Sequence, residues 1–210
     1  MKFQVCLANP YKLWYRWDEL KEKVGVYFNQ AIAKRKELGL KPDLELVVFN
    51  TYSQSTAEGI DLRHDLIVYV VPYRDCGFVG VDVGSGGRSQ DAGGLTWPDK
   101  DNSAAEVYVG DERISSGEGT TIRADWFDPN RFTVTQYREP DLLAKVILHE
   151  AMHNKTGWGD DKLHKHGGLA GAVIDARGSK FTDSDATIMA KHMYDVRTQW
   201  TGAWGALARR

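Results

Sequence analysis

Long apolar runs are missing from this sequence. No stretch approaches the roughly 20 apolar residues that a transmembrane helix needs. The N-terminal segment MKFQVCLANPYKLWYRW has neither a sustained apolar region nor a small-residue cleavage site, so we predict no Sec signal peptide. The expected location is the cytoplasm, or a compartment reached by a non-Sec route.

An excess of charge of either sign is also missing. Lys and Arg together number 27, against 29 for Asp and Glu. This balance gives no support for a nucleic acid or an anionic membrane as a partner. A chain of 210 residues suits one domain with a sizeable core. We therefore predict a single domain over residues 1–210, monomeric by default, with no nucleic-acid or membrane partner.

Cysteine is scarce, with two residues in the chain. Cys6 and Cys76 each lie in or beside an apolar run that is typical of a strand, which favours two buried thiols over a disulfide. The two cysteines do not form a metal-binding pair.

Residues 1–140 have the pattern of a sheet backed by one long helix. The helix is predicted over Trp17–Leu38, with Asp18 as N-cap and Gly39 as the stop. The predicted strands are Phe3–Ala8, Leu44–Phe49, Leu66–Val71, Leu95–Trp97, Glu106–Val109 and a short Phe132–Tyr137. The order strand, helix, strand, strand suits an α/β or α+β fold, and we expect α+β with a twisted mixed sheet.

Two connecting segments in this half are predicted to be loops. Ser53–His64 is polar and lacks a clear period. Asp75–Asp101 is rich in glycine, but no Lys-Ser or Lys-Thr pair follows and no helix pattern begins there. A loop leading into strands is therefore favoured over a phosphate-binding loop.

Residues 141–210 are predicted to form a helix, a loop and a C-terminal helix. Glu139-Pro140-Asp141 suits the first turn of the first helix, whose apolar face would continue through Leu142, Val146, His149 and His153. Glycines at 157 and 159 end it. The last helix is predicted over Thr182–Gln199, with Thr182 or Asp183 as N-cap. Its expected inward residues are Ile188, Met189, His192, Val196 and Trp200.

The first of these helices contains the pattern HExxH at His149, Glu150 and His153. Histidines four residues apart project from one face about one turn from each other, which suits two ligands of one metal ion. Glu150 points roughly 100° around the helix, where it would hold a water molecule and not bind the metal itself. The pattern predicts a catalytic Zn²⁺ site.

A catalytic zinc needs a third protein ligand and keeps its fourth position for water. The candidates after the glycine turn are Asp160, Asp161, His164 and His166. His164 is favoured, since a neutral imidazole leaves the positive charge of the metal available to acidify water, and since Leu163 would anchor the loop in the core. His166 is the alternative, followed by an aspartate.

This region resembles the zincin metallopeptidases, and among them the metzincins, whose motif is HExxHxxGxxH. His149, Glu150 and His153 match it. Thr156 stands at the position of the motif glycine, with Gly157 one later, and Gly159 stands at the position of the third histidine. His164 as third ligand therefore requires a loop about five residues longer than the family's.

The resemblance implies further features of the fold. The segment Gly93–Glu112 is similar to the family's edge-strand region, which implies that an extended peptide lies along this edge. The family also has a methionine turn beneath the metal. Met189, with Met193 behind it, is the one plausible counterpart, but both lie inside the predicted last helix, which favours core methionines.

The predicted function is that of a zinc-dependent peptidase acting on a peptide or protein, with an endopeptidase as the favoured type. Glu150 would be the general base that takes the proton of a zinc-bound water and delivers it to the leaving amine. His166, His192 and Tyr194 are open candidates for the oxyanion donor. The alternatives are a metal-dependent amidase acting on cell-wall material and a non-catalytic, zinc-stabilised binding protein.

Overall fold

The computed structural model describes residues 1–61, 64–72, 93–97, 104–110, 137–174, 177–194 and 204. These residues form an α+β fold with a five-stranded mixed sheet. The strands are β1 Lys2–Ala8, β2 Glu45–Thr51, β3 Leu66–Val71, β4 Gly94–Trp97 and β5 Ala104–Tyr108. The α+β prediction is confirmed at this level.

The sheet has the strand order β2-β1-β3-β5-β4. The first four strands in that order run parallel, and β4 pairs antiparallel with β5, so that Leu95 lies opposite Glu106. Every residue of the central strand β3 is buried, as is typical of a parallel strand covered on both faces. The antiparallel strand β4 lies at one edge of this sheet.

Of the described helices, two lie between strands in the chain and three follow the last strand. They are α1 Trp17–Glu37, α2 Gln54–Glu58, α3 Pro140–Thr156, α4 Asp160–Leu163 and α5 Asp183–His192, with short 3₁₀ turns at His164–His166 and Gly168–Ala170. Helix α1 contacts β2, α3 and α5, whereas α3 contacts β3, β5 and β4. Among the described helices, none is long and apolar enough to cross a membrane.

Helix α3 is buried on all sides, and not along one face as its apolar spacing predicted. Each residue from Leu143 to Lys155 is buried, whereas Leu142, placed on the predicted inner face, is partly exposed. The helix is enclosed because it contacts three strands, α1 and α5. Its C-terminal end is the expected glycine stop: Gly157 has φ 67°, and its N–H donates to the carbonyl of His153.

A buried lysine joins the end of α3 to the start of β3. The Nζ of Lys155 donates to the carbonyl oxygens of His64 and Asp65, each at 2.9 Å, and lies 5.7 Å from the ring centroid of Phe3. A buried ammonium group needs such partners to offset its loss of hydration. Lys155 thereby fixes the helix turn that carries His153 against the sheet.

Helix α1 begins at Trp17 as predicted and ends at Glu37, one residue before the predicted Leu38, but its N-cap is not the predicted residue. Arg16, and not Asp18, is the N-cap, and no side chain caps the helix there. Asp18 lies in the first turn, where it pairs with Lys21 at 2.8 Å. Gly39 has φ 68°, a left-handed conformation suited to the predicted stop.

The connecting segment Ser53–His64 was predicted to be a loop, and this prediction was wrong in part because the segment contains helix α2. The side chain of Ser53 accepts a hydrogen bond from the N–H of Thr56, which caps this helix. Two strands also differ from their predicted bounds. Strand β2 ends at Thr51 and not at Phe49, and β5 spans Ala104–Tyr108 and not Glu106–Val109.

The last described helix begins where predicted and ends earlier. Thr182 is the N-cap of α5, in a capping box with Asp185. The helix ends at His192 and not at Gln199, with Met193 as C-cap. Met189 and Met193 are fully buried core methionines, as expected.

Several predicted features lie outside the described residues. These are Cys76, most of the glycine-rich segment, Val196, Trp200 and the strand before Tyr137. Tyr137 itself forms an antiparallel bridge with Gly110. Cys6 is a free buried thiol, as predicted, and burial raises its pKa to about 12.

Candidate metal centre

Three histidine side chains converge at the C-terminal half of α3. His149 and His153 project from successive turns of α3, and His164 comes from the 3₁₀ turn that follows α4. Their Nε2 atoms are separated by 3.2 Å (His149 to His153), 3.4 Å (His153 to His164) and 3.4 Å (His149 to His164). The three nitrogens therefore form a nearly equilateral triangle.

The size of this triangle suits one small metal ion. Nitrogens that bind a tetrahedral Zn²⁺ at about 2.0–2.1 Å lie about 3.3 Å from each other. The observed separations of 3.2, 3.4 and 3.4 Å lie around that value. Three ligands of a tetrahedral ion leave one position for a further ligand.

The other ring nitrogen of two of these histidines is held by the backbone. His149 Nδ1 lies 2.7 Å from the carbonyl oxygen of Leu169, and His153 Nδ1 lies 2.6 Å from that of Trp158. A carbonyl oxygen only accepts, so each Nδ1 carries the proton and donates it. In a neutral ring, Nε2 is then the unprotonated nitrogen that a metal requires.

Burial keeps these two rings neutral. Burial lowers the pKa of His149 to about 3, to which the repulsion between two protonated rings at His149 and His153 adds, and burial also lowers the pKa of His153. The Nε2 lone pairs of His149 and His153 therefore face each other at 3.2 Å with no proton between them. Such an arrangement is repulsive unless a cation lies between the two nitrogens.

The carbonyl that holds His149 is fixed by a buried carboxylate. Asp185 is fully buried and accepts from the N–H of Leu169 at 3.1 Å and of Ala170 at 2.9 Å. It also accepts from the N–H and the hydroxyl of Thr182, each at 2.7 Å. Gly168 has φ 61°, and a side chain there would collide with Asp185 and Thr182. The N-terminal cap of α5 thus orients His149 through one peptide carbonyl.

Glu150 is buried beside the histidines, against the edge strand β4. Its side chain is 4% exposed, and Oε2 accepts a hydrogen bond of 2.6 Å from the hydroxyl of Thr96. Burial raises the pKa of Glu150 to about 8, with smaller contributions from the charges of Asp160 and Glu106, while the Thr96 hydrogen bond opposes the shift. In the metal-free protein this carboxyl therefore holds a proton at neutral pH. A cation bound at the histidines would lower this pKa and favour the ionised carboxylate.

This raised pKa predicts how the stability of the metal-free protein depends on pH. Unfolded, Glu150 loses its proton near pH 4.5, but folded it keeps the proton to about pH 8. Between these values the unfolded state binds fewer protons, so stability falls as pH rises. The lowered pKa values of His149 and His153 act in the opposite sense, because the unfolded imidazoles still bind protons around their ordinary pKa of 6.5 and the folded ones do not.

We expect Glu150 alone to lower the free energy of unfolding in chelator by about 2 kcal/mol between pH 6.5 and pH 8, seen as the difference in slope between the wild type and Glu150→Gln. Urea denaturation of both proteins at a series of pH values measures the two slopes. An equal slope in the variant would assign the effect to another group.

The other candidate ligands lie outside the triangle of histidines. Asp160 Oδ1 is 3.6 Å from His153 Nε2 and 3.7 Å from His164 Nε2, but its side chain is 82% exposed. Asp161 is exposed on α4. The ring of His166 stacks on Trp158, with 5.4 Å between centroids. Leu163 is fully buried, which provides the anchor expected beside His164.

The three candidate oxyanion donors pack on aromatic neighbours. His192, like His166, contacts the ring of Trp158, and the ring of Tyr194 stacks on His64 at 4.3 Å.

Four residues at this centre were not predicted from the sequence. They are Thr96, Trp158, Leu169 and Asp185. Asp185 could have been found, because Thr182 and Asp185 have the spacing of a capping box. Trp158 and Leu169 act through backbone carbonyls, which leave no signal in residue type, and Thr96 lies on a distant strand.

Comparison with known protein families, with curated proteins and with solved structures found no match for this chain.

Proposed function

We propose that this protein is a zinc-dependent peptidase in which His149, His153 and His164 bind the metal and Glu150 is the general base. The observation that carries the proposal is the triangle of Nε2 atoms, with sides of 3.2, 3.4 and 3.4 Å. Three imidazoles form the ligand set of a catalytic zinc with an open fourth position. Bound there, Zn²⁺ would supply Lewis acidity toward a water molecule and the scissile carbonyl.

The protein's own residues divide the remaining tasks. Leu169 and Trp158 orient the two histidines of α3 through their carbonyl oxygens. Glu150, buried beside these histidines, takes a proton from water and later delivers it to the leaving amine nitrogen. The helix supports this role because it carries both ligands and the base on a rigid, buried element.

A peptide is the substrate that suits the edge of the sheet. Strand β4 lies at one end of the strand order, and Thr96 on it contacts Glu150 directly. An extended peptide that pairs with the outer edge of β4 would bring its backbone past Glu150 and the histidines. This arrangement, the buried HExxH helix and the mixed sheet are the features that support a zincin-like enzyme.

One contact favours a second candidate function, a closed and non-catalytic zinc site. A carboxylate at the position of Asp160 would complete a set of four protein ligands, which is typical of structural zinc. The distances of 3.6 and 3.7 Å and the 82% exposure of the Asp160 side chain weigh against it, because structural ligands are normally buried and fixed. The open site is therefore the better supported of the two.

The proposal is tested with purified protein, denatured casein and peptidoglycan. We expect casein to be cleaved, cleavage to stop after metal removal with 1,10-phenanthroline, and about one equivalent of Zn²⁺ to restore it. Cleavage that survives complete metal removal would overturn the proposal. Hydrolysis of peptidoglycan cross-links without cleavage of casein would support the amidase alternative.

A further inference from the structure

The edge strand β4 meets Glu150 at two of its residues, Gly94 and Thr96. From these contacts we infer that Thr96 is a positioning residue for Glu150, and that it leaves Oε1 as the carboxylate oxygen that receives the proton. The inference rests on the proposed peptidase function and assigns a role to each oxygen of the general base.

The hydroxyl of Thr96 ties the Glu150 side chain to its own helix. It lies 2.6 Å from Oε2 and 3.1 Å from the backbone carbonyl oxygen of Glu150. A buried carboxylate on three rotatable bonds samples several rotamers unless a partner selects one. The short hydrogen bond to Oε2 selects one, since Thr96 is itself fixed by the pairing of β4 with β5.

Gly94 leaves open the space beside the other oxygen. A Cβ atom built on Gly94 would lie 2.7 Å from the backbone carbonyl oxygen of Glu106 on β5, 2.7 Å from Glu150 Cγ and 3.0 Å from Glu150 Oε1. Real Cβ atoms do not approach so closely, so any side chain at position 94 would displace Glu150 or β4. The absence of a side chain lets the strand lie against the carboxylate without covering Oε1.

The two oxygens therefore have different roles in the reaction. Oε2 keeps its hydrogen bond from the Thr96 hydroxyl. Oε1 takes a proton from water while the water oxygen forms a covalent bond to the carbonyl carbon of the peptide. The C–N bond then breaks, and the leaving nitrogen takes that proton from Oε1. Glu150 is regenerated, and no oxidant or further reactant is needed.

The test compares Thr96→Val, which keeps the shape but loses the hydroxyl, with Thr96→Ser, which keeps the hydroxyl. With fluorescein-labelled casein as the probe, we expect kcat of Thr96→Val to fall about 10- to 100-fold while KM stays within about twofold. Thr96→Ser should retain kcat within about threefold of the wild type, and both variants should bind one equivalent of zinc. A merely structural role would alter zinc content or thermal stability and would leave kcat of the folded fraction unchanged.

Two glycine substitutions provide a second comparison in the same experiment. Gly94→Ala should lose kcat at least as strongly as Thr96→Val, whereas Gly25→Ala on α1, where a Cβ meets no atom within 4 Å, should retain it. A Thr96→Val protein with kcat within about twofold of the wild type would overturn the inference whatever Gly94→Ala does.

The crystal structure of Thr96→Val separates this inference from the proposed function. We expect Glu150 to leave the rotamer seen here, with Oε2 no longer beside residue 96. If the wild type cleaves no peptide, the proposed function fails, yet a displaced Glu150 still supports the positioning role. An unmoved Glu150 overturns that role independently of activity.

Discussion

Replacing Glu150 with Gln should leave zinc binding intact and reduce the hydrolysis of denatured casein by about 1,000-fold or more. Glutamine has nearly the same size and accepts the Thr96 hydrogen bond through its amide oxygen, so the fold and the three histidines should be undisturbed. It cannot take a proton from water, which removes the general base. Steady-state kinetics, with zinc content measured by elemental analysis, provide both readouts.

A matched control for this variant is Asp161→Asn, which removes the charge of an exposed carboxylate on α4. Its activity should stay within about twofold of the wild type. A Glu150→Gln protein that cleaves casein at a comparable rate would contradict the assigned role of Glu150.

The second large effect is expected at the third ligand. His164→Ala should lower the affinity for Zn²⁺ by at least about 100-fold, because two imidazoles remain of a set of three. A competition titration against a chromophoric chelator measures the change. The side chain of His164 is 22% exposed, so its truncation should disturb the core little.

His166→Ala is the matched control, since it removes an imidazole two residues away that stacks on Trp158 and lies outside the triangle. Its zinc affinity should stay within about threefold of the wild type. Equal losses in the two variants, or a larger loss for His166→Ala, would contradict the ligand set.

Local signals in the sequence predicted the helix that carries the candidate site. Pro140 opens α3, and Gly157 closes it in a left-handed conformation, so both ends follow from backbone chemistry that one residue type satisfies best. The spacing of His149 and His153 then determines that they share a face. These features depend on near neighbours in the chain, which is why they were predictable.

Contacts between residues far apart in the sequence were harder to predict. The predicted one-sided burial of α3 was wrong because three strands and two helices enclose it, and helical period carries no information on how many neighbours pack on a helix. The choice between His164 and His166 depended on the turns after Gly159, where one residue enters the triangle and the other stacks on Trp158. Thr96 reaches Glu150 across 54 positions of sequence.

The orientation of His149 also depends on contacts that the sequence did not predict. The carbonyl of Leu169 holds His149 only because Asp185, 16 residues later, binds the N–H groups of that turn. The capping-box spacing predicts that Asp185 forms hydrogen bonds with Thr182. It does not predict that the same carboxylate also accepts hydrogen bonds from the turn at Leu169. A carboxylate accepts several hydrogen bonds, and which donors it receives is decided by tertiary packing.

The most direct test of the central claim is a crystal structure of the protein loaded with Zn²⁺. We expect one zinc bound by Nε2 of His149, His153 and His164 at about 2.0–2.1 Å, with a water molecule at the fourth position beside Glu150. A zinc with Asp160 as its fourth protein ligand, or one that excludes His164, would contradict the account.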